Sequence, residues 1–169
     1  MSSDSKPPKA VADLEPFIGT WRNTGTMFDE SGKEAGKMTA TDRYEWLDGG
    51  FFVLHHVEGN LGDEEIRLLE VIGVQGKDGQ VIARFFDNRG MTGEQTYVLK
   101  GRSFTVDGPQ QRFRGEFDAD FQTLEGLWEL AEDGKIWRPW MKIVLEKQGV
   151  VAARSPRQTA AHSAAATRH

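Results

Sequence analysis

Phe17-Ile18-Gly19-Thr20-Trp21-Arg22-Asn23-Thr24-Gly25-Thr26-Met27-Phe28 sets the grammar of the whole chain. From Trp21 onward, Trp21, Asn23, Gly25 and Met27 fall on one side, and Thr20, Arg22, Thr24 and Thr26 on the other. A period of two belongs to a β-strand with one buried face and one wet face. A turn at Asp29 to Lys33, containing Ser31-Gly32, reads as a hairpin connection to a second such segment. Over Lys37 to Leu47, Met38, Ala40, Asp42, Tyr44 and Trp46 alternate with Lys37, Thr39, Thr41, Arg43 and Glu45. Asp48-Gly49-Gly50 then turns the chain into a third strand, Phe51 to Glu58.

The same pattern continues to the last strand. Glu65 to Val74, Gln80 to Phe86, Gly93 to Lys100, Ser103 to Val106, Gln111 to Phe117, Gln122 to Leu130 and Lys135 to Glu146 all read as strands. They are separated by Asn, Asp and Gly clusters, among them Lys77-Asp78-Gly79 and Glu132-Asp133-Gly134. About ten strands with no intervening helix long enough for a βαβ crossover predict an all-β fold. The expected form is a closed antiparallel up-and-down barrel, in which no strand edge is left open. Val11 to Ile18 predicts one short helical turn, with Asp13 as N-cap, closing one end of that barrel. The domain organisation is a disordered N-terminus over 1–12, the barrel over 13–147 and a disordered tail over 148–169, where Ala, Ser and Thr offer no core.

Composition narrows the function. The 169 residues carry a net charge of −5, and the three arginines of the tail stand there without an acid, so the body is more acidic still. An acidic body repels phosphate backbones, and nucleic acid is not an expected partner. The absence of cysteine excludes thiolate nucleophiles, disulfides and Cys-based metal sites. No run approaches the roughly 18 apolar residues of a membrane span, and the N-terminus lacks a signal-peptide core, so the chain reads as cytoplasmic. Nothing in it fixes an oligomeric state.

In a meander barrel one residue in two faces inward, and an inward polar group needs a partner or a ligand. The inward set is aromatic, with Trp46, Phe51, Phe113, Trp128 and Met141 as walls. Asn23, Asp42, Tyr44, His55 and Tyr97 interrupt it as polar anchors, Gln95 sharing a face with Tyr97. The last strand sets Trp137, Met141, Ile143 and Leu145 inward against Arg138, Trp140, Lys142 and Glu146. Sparse polar groups on apolar walls suit a small, largely apolar molecule.

Gly19-Thr20-Trp21 together with Trp46-Leu47-Asp48-Gly49-Gly50-Phe51 resembles a bacterial family of unknown function in the calycin group. That group includes the lipocalins, fatty-acid-binding proteins and nitrobindins, and the resemblance covers about residues 13 to 147. It implies a barrel that carries an apolar ligand, with Trp21 near the closed end. Nitrobindins hold haem through a histidine near their C-terminal strands. Gln111 to Glu146 contain no histidine, so neither haem nor any other cofactor is expected. His55 and His56 point to opposite faces of one strand and cannot share a metal there.

Binding of a small apolar molecule is therefore the leading expectation. An alternative is an isomerase or cyclase in which Asp42 and His55, cross-strand neighbours through the Gly49 turn, move a proton as catalytic residues. A second alternative is a protein-interaction module with a filled barrel. Arg84 and Asp87 are expected as a rim pair, and Arg138, beside Trp137 and Trp140, as a cation stacked on an aromatic ring.

Overall fold

Ten antiparallel strands close on themselves in the computed structural model, which describes residues 5–75 and 78–149. They are β1 (Gly19–Phe28), β2 (Glu34–Trp46), β3 (Phe52–Leu61), β4 (Glu64–Val74) and β5 (Val81–Asp87). After them come β6 (Thr92–Lys100), β7 (Ser103–Asp107), β8 (Gln111–Phe117), β9 (Thr123–Leu130) and β10 (Arg138–Lys147). Each strand pairs with its neighbours in sequence, and β1 closes the ring on β10 from Trp21↔Lys147 to Met27↔Met141. Closure leaves no ladder unpaired and is the physical reason such a sheet is stable alone.

The expected periodicity holds. Trp21 and Asn23 on β1, and Met38, Ala40, Asp42 and Tyr44 on β2, are buried and alternate with exposed or half-buried neighbours. The turn after β2 has Gly49 at φ +99° and Gly50 at φ +75°, a backbone that residues with a Cβ rarely adopt. It is held by Leu47 N–H on the Phe52 carbonyl and Gly50 N–H on the Leu47 carbonyl, both at 2.9 Å.

The helical turn appears, but earlier than expected. α1 spans Lys9–Ala12, within the stretch assigned to a disordered N-terminus, and Pro8 rather than Asp13 is its N-cap. A 3-10 turn follows at Glu15–Phe17. Residues 1–4 and the tail from 150 onward lie outside the described residues, as does Lys77 of one expected turn.

Val11, Leu14 and Phe17 are buried and form the plug. The Phe17 ring meets Tyr44 at 5.2 Å, Phe104 at 4.7 Å and Phe117 at 5.1 Å. The Trp21 indole donates a 2.7 Å hydrogen bond to the Phe17 carbonyl, and Lys147 Nζ donates to the Pro16 carbonyl at 3.0 Å. Burying one such aromatic side chain stabilises by roughly 1.5–3 kcal/mol, so the plug is fixed. Odd-numbered strands begin at this end and even-numbered strands finish there. The other end carries the turns after β1, β3, β5, β7 and β9.

Candidate functional site

Inside the barrel, above the plug, is a cavity of about 490 Å³. Its wall is mostly apolar, with Phe113, Trp128 and Met141 among the lining, and it reaches the far turns at Met91, Pro109 and Gln110. Met91 is itself exposed, so cavity and surface meet there. A volume of this size lies within the range of small-molecule sites, about 300–1,000 Å³.

Five polar side chains on this wall, Asn23, Asp42, His55, Glu70 and Tyr97, form one continuous hydrogen-bonded belt, with Tyr44 stacked on it. Asn23 on β1, Asp42 and Tyr44 on β2, His55 on β3, Glu70 on β4 and Tyr97 on β6 all line the cavity and are all buried. Asn23 Nδ2 donates to Asp42 Oδ1 at 3.1 Å. His55 lies between the two acids, Nε2 at 3.0 Å from Asp42 Oδ2 and Nδ1 at 3.2 Å from Glu70 Oε1. Tyr97 Oη donates to Glu70 Oε2 at 2.8 Å. Register builds the belt: His55 stands opposite Tyr44 on one side and Glu70 on the other. Tyr44 lies flat on the imidazole, with ring centroids 3.9 Å apart and planes 7° from parallel.

This geometry decides the protonation state of His55. A neutral imidazole has one N–H and could donate to only one of two carboxylates, whereas an imidazolium donates to both. Burial acts first and pulls the group down. The hydrogen bonds and charges of Asp42 and Glu70 outweigh it and raise the pKa from 6.5 to about 9. Burial, and then the neighbouring acids, push the Tyr44 and Tyr97 phenols well above their ordinary value, so both stay neutral donors. One atom of the belt is left over: the buried Asn23 Oδ1 has no hydrogen-bond partner.

Eight of the ten residues expected at a site are thus brought together: Asn23, Asp42, Tyr44, His55, Tyr97, Phe113, Trp128 and Met141. Trp46 and Phe51 are not among the lining. Both stand at the plugged end, where the Trp46 indole donates to Glu15 Oε2 at 2.9 Å and Phe51 lies in the turn before β3. Glu70 joins the site without being among the expected residues, although Ile66, Leu68, Glu70 and Ile72 alternate in the sequence and set this acid on an apolar face. Trp140, expected to face outward, lines the cavity, because the β9–β10 register shifts between Pro139 and Met141.

Other expected pairs are exchanged for different ones. Arg84 bonds Glu94 at 2.6 Å, and Asp87 bonds Arg89 at 2.8 Å, so the rim pair of Arg84 with Asp87 does not form. The guanidinium over Trp137 is that of Arg112, 4.4 Å from the ring centroid, while Arg138 pairs with Glu132. His56 faces the other way from His55, toward Glu45 at 3.2 Å. Among the described residues no group of three or more His, Asp or Glu is disposed to hold a metal ion, and no helix is long and apolar enough to cross a membrane.

Comparison with known proteins gives a family and a fold. The model of a family described as "Protein of unknown function (DUF1579)" matches residues 6–133, more than half of the chain. Rv2717c from M. tuberculosis, known from its crystal structure, is similar with a TM-score of 0.63 and 13% identity. The match covers 85% of this chain and 100% of that one. At that identity the likeness is one of fold. No curated protein matches.

Proposed function

The chain belongs to this family of unknown function, and we propose that its barrel binds a small, largely apolar molecule without transforming it. The observation that carries this reading is the cavity of about 490 Å³, walled mostly by apolar side chains and crossed by one polar belt. The resemblance to calycins, which carry apolar ligands inside a barrel, supports it. In this reading Phe113, Trp128 and Met141 are contact walls, and Asn23, Tyr44, His55 and Tyr97 hold the polar end of the site. Trp46 and Phe51 would serve by closing the base.

The occupied state of His55 supports binding over proton transfer. Both ring nitrogens face carboxylates, and Tyr44 covers one face of the ring. A general base must reach the proton it abstracts, and neither nitrogen is free to do so. Asp42 and His55 then act as the frame of the site. A cavity this large also argues against a barrel packed solid for contact with another protein.

The test is a titration with N-phenyl-1-naphthylamine, a neutral dye that fluoresces in apolar surroundings, on the wild type and on Ala40→Phe, which sets a ring into the cavity wall. One saturating site in the wild type, weakened about tenfold or more in a folded Ala40→Phe, is expected. Non-saturating fluorescence, or equal binding by the folded variant, would overturn the reading.

A further inference from the structure

We propose that the cavity selects molecules whose polar head donates hydrogen bonds, an alcohol or an ammonium on an apolar body, over carboxylates of the same length. This rests on the small-molecule reading above and specifies the head group.

The first ground is the proton inventory of the belt. Four donors of the belt are committed internally, Asn23 Nδ2 to Asp42, the two His55 nitrogens to Asp42 and Glu70, and Tyr97 Oη to Glu70, while the Tyr44 hydroxyl and the Gln95 amide also line the cavity. Its acceptors are not used up. Each of the four carboxylate oxygens takes one hydrogen bond from the belt and has a further lone pair. At Asp42 and Glu70, where the donors in reach are spent on the first lone pair of each oxygen, the belt is completed by a group that brings protons.

The second ground is charge. The lining contains the acids Asp42, Glu70, Asp87 and Glu94 and the bases His55 and Arg89. Both bases are engaged: His55 between Asp42 and Glu70, and Arg89 on Asp87 at 2.8 Å with Glu64 at 3.7 Å. A carboxylate ligand would add a negative charge beside buried acids with no uncommitted cation among the lining side chains. Like charges in a desolvated site repel strongly, and an unpaired buried anion is among the costliest groups to hold. An ammonium meets the opposite field, and an alcohol needs only one acceptor.

The experiment displaces bound N-phenyl-1-naphthylamine from the wild type with decylamine, 1-decanol and decanoate at neutral pH, the apolar body held constant. Decylamine and 1-decanol are expected to displace at concentrations about tenfold or more below decanoate, the scale of one hydrogen bond to a charged group. Glu70→Gln, which removes one negative charge and adds donors, should narrow the gap between decylamine and decanoate. Dye binding with decanoate equal to or better than the other two overturns the head-group preference and leaves the binding reading standing. Failure of the dye to bind at all overturns both. The wild-type comparison decides the matter even if Glu70→Gln does not fold.

Discussion

Raising the pH through the alkaline range should drain stability from this barrel through one side chain, His55. The imidazole is enclosed by Asp42 at 3.0 Å and Glu70 at 3.2 Å, with Tyr44 stacked on its face. Its pKa stands at about 9 in the folded protein, against an ordinary value of 6.5. Because the folded value is the higher one, the folded state holds an extra proton between the two. The stabilisation is whole below pH 6.5 and is lost as pH rises through about 9. The separation of the two values corresponds to roughly 3 kcal/mol, falling by about 1.4 kcal/mol per pH unit in that interval. Against a typical domain stability of about 5–15 kcal/mol this is a large share. Urea denaturation at closely spaced pH values measures the slope. A heteronuclear NMR titration, with the His55 signals assigned by their absence from His55→Gln, measures the midpoint. A midpoint at or below 6.5, or stability that is flat between pH 6.5 and 9, would refute the reasoning that both ring nitrogens donate.

Three further substitutions probe the parts that support the belt. Tyr97→Phe deletes the 2.8 Å donor to Glu70 Oε2, and should cost about 1–3 kcal/mol in urea denaturation, the range for leaving a buried acceptor short of a partner. Gly126→Ala would set a Cβ 2.3 Å from Phe113 Cζ and 2.5 Å from the Arg114 carbonyl. Phe113 lines the cavity, so the change should lower stability by about 1–3 kcal/mol, seen as a fall in Tm of about 2–4 °C per kcal/mol. Trp21→Phe removes the hydrogen bond to the Phe17 carbonyl and part of the packing under the plug. It should cost about 2 kcal/mol and speed limited proteolysis before Gly19, whereas wild-type protease resistance would separate Trp21 from plug closure.

The alternation of Trp21, Asn23 and Met27, and of Met38 through Trp46, makes the barrel legible because period two fixes which face each side chain takes. It also brings Asp42 within reach of His55, since the tight turn at Gly49-Gly50 sets the register between their strands. Period alone does not set height along the barrel. Trp46 and Phe51 flank the turn that lies beside the plug, so their inward parity places them at the base and not in the wall of the cavity. Glu70 carried a readable signal, an acid among Ile66, Leu68 and Ile72 on one face. Trp140 follows a break in the period: Pro139 has no N–H to give the ladder, and the register shifts beside it. The partners of Arg84, Asp87 and Arg112 depend on which long side chains meet across neighbouring strands. Sequence adjacency is a poor guide to such contacts.

The most direct test of a ligand-holding barrel is native mass spectrometry of the chain after incubation with decylamine, 1-decanol and N-phenyl-1-naphthylamine, beside folded Ala40→Phe under the same conditions. The account predicts one adduct per wild-type chain and its loss in the variant. A bare wild-type chain with every compound, or adducts of undefined number that Ala40→Phe retains, would contradict it.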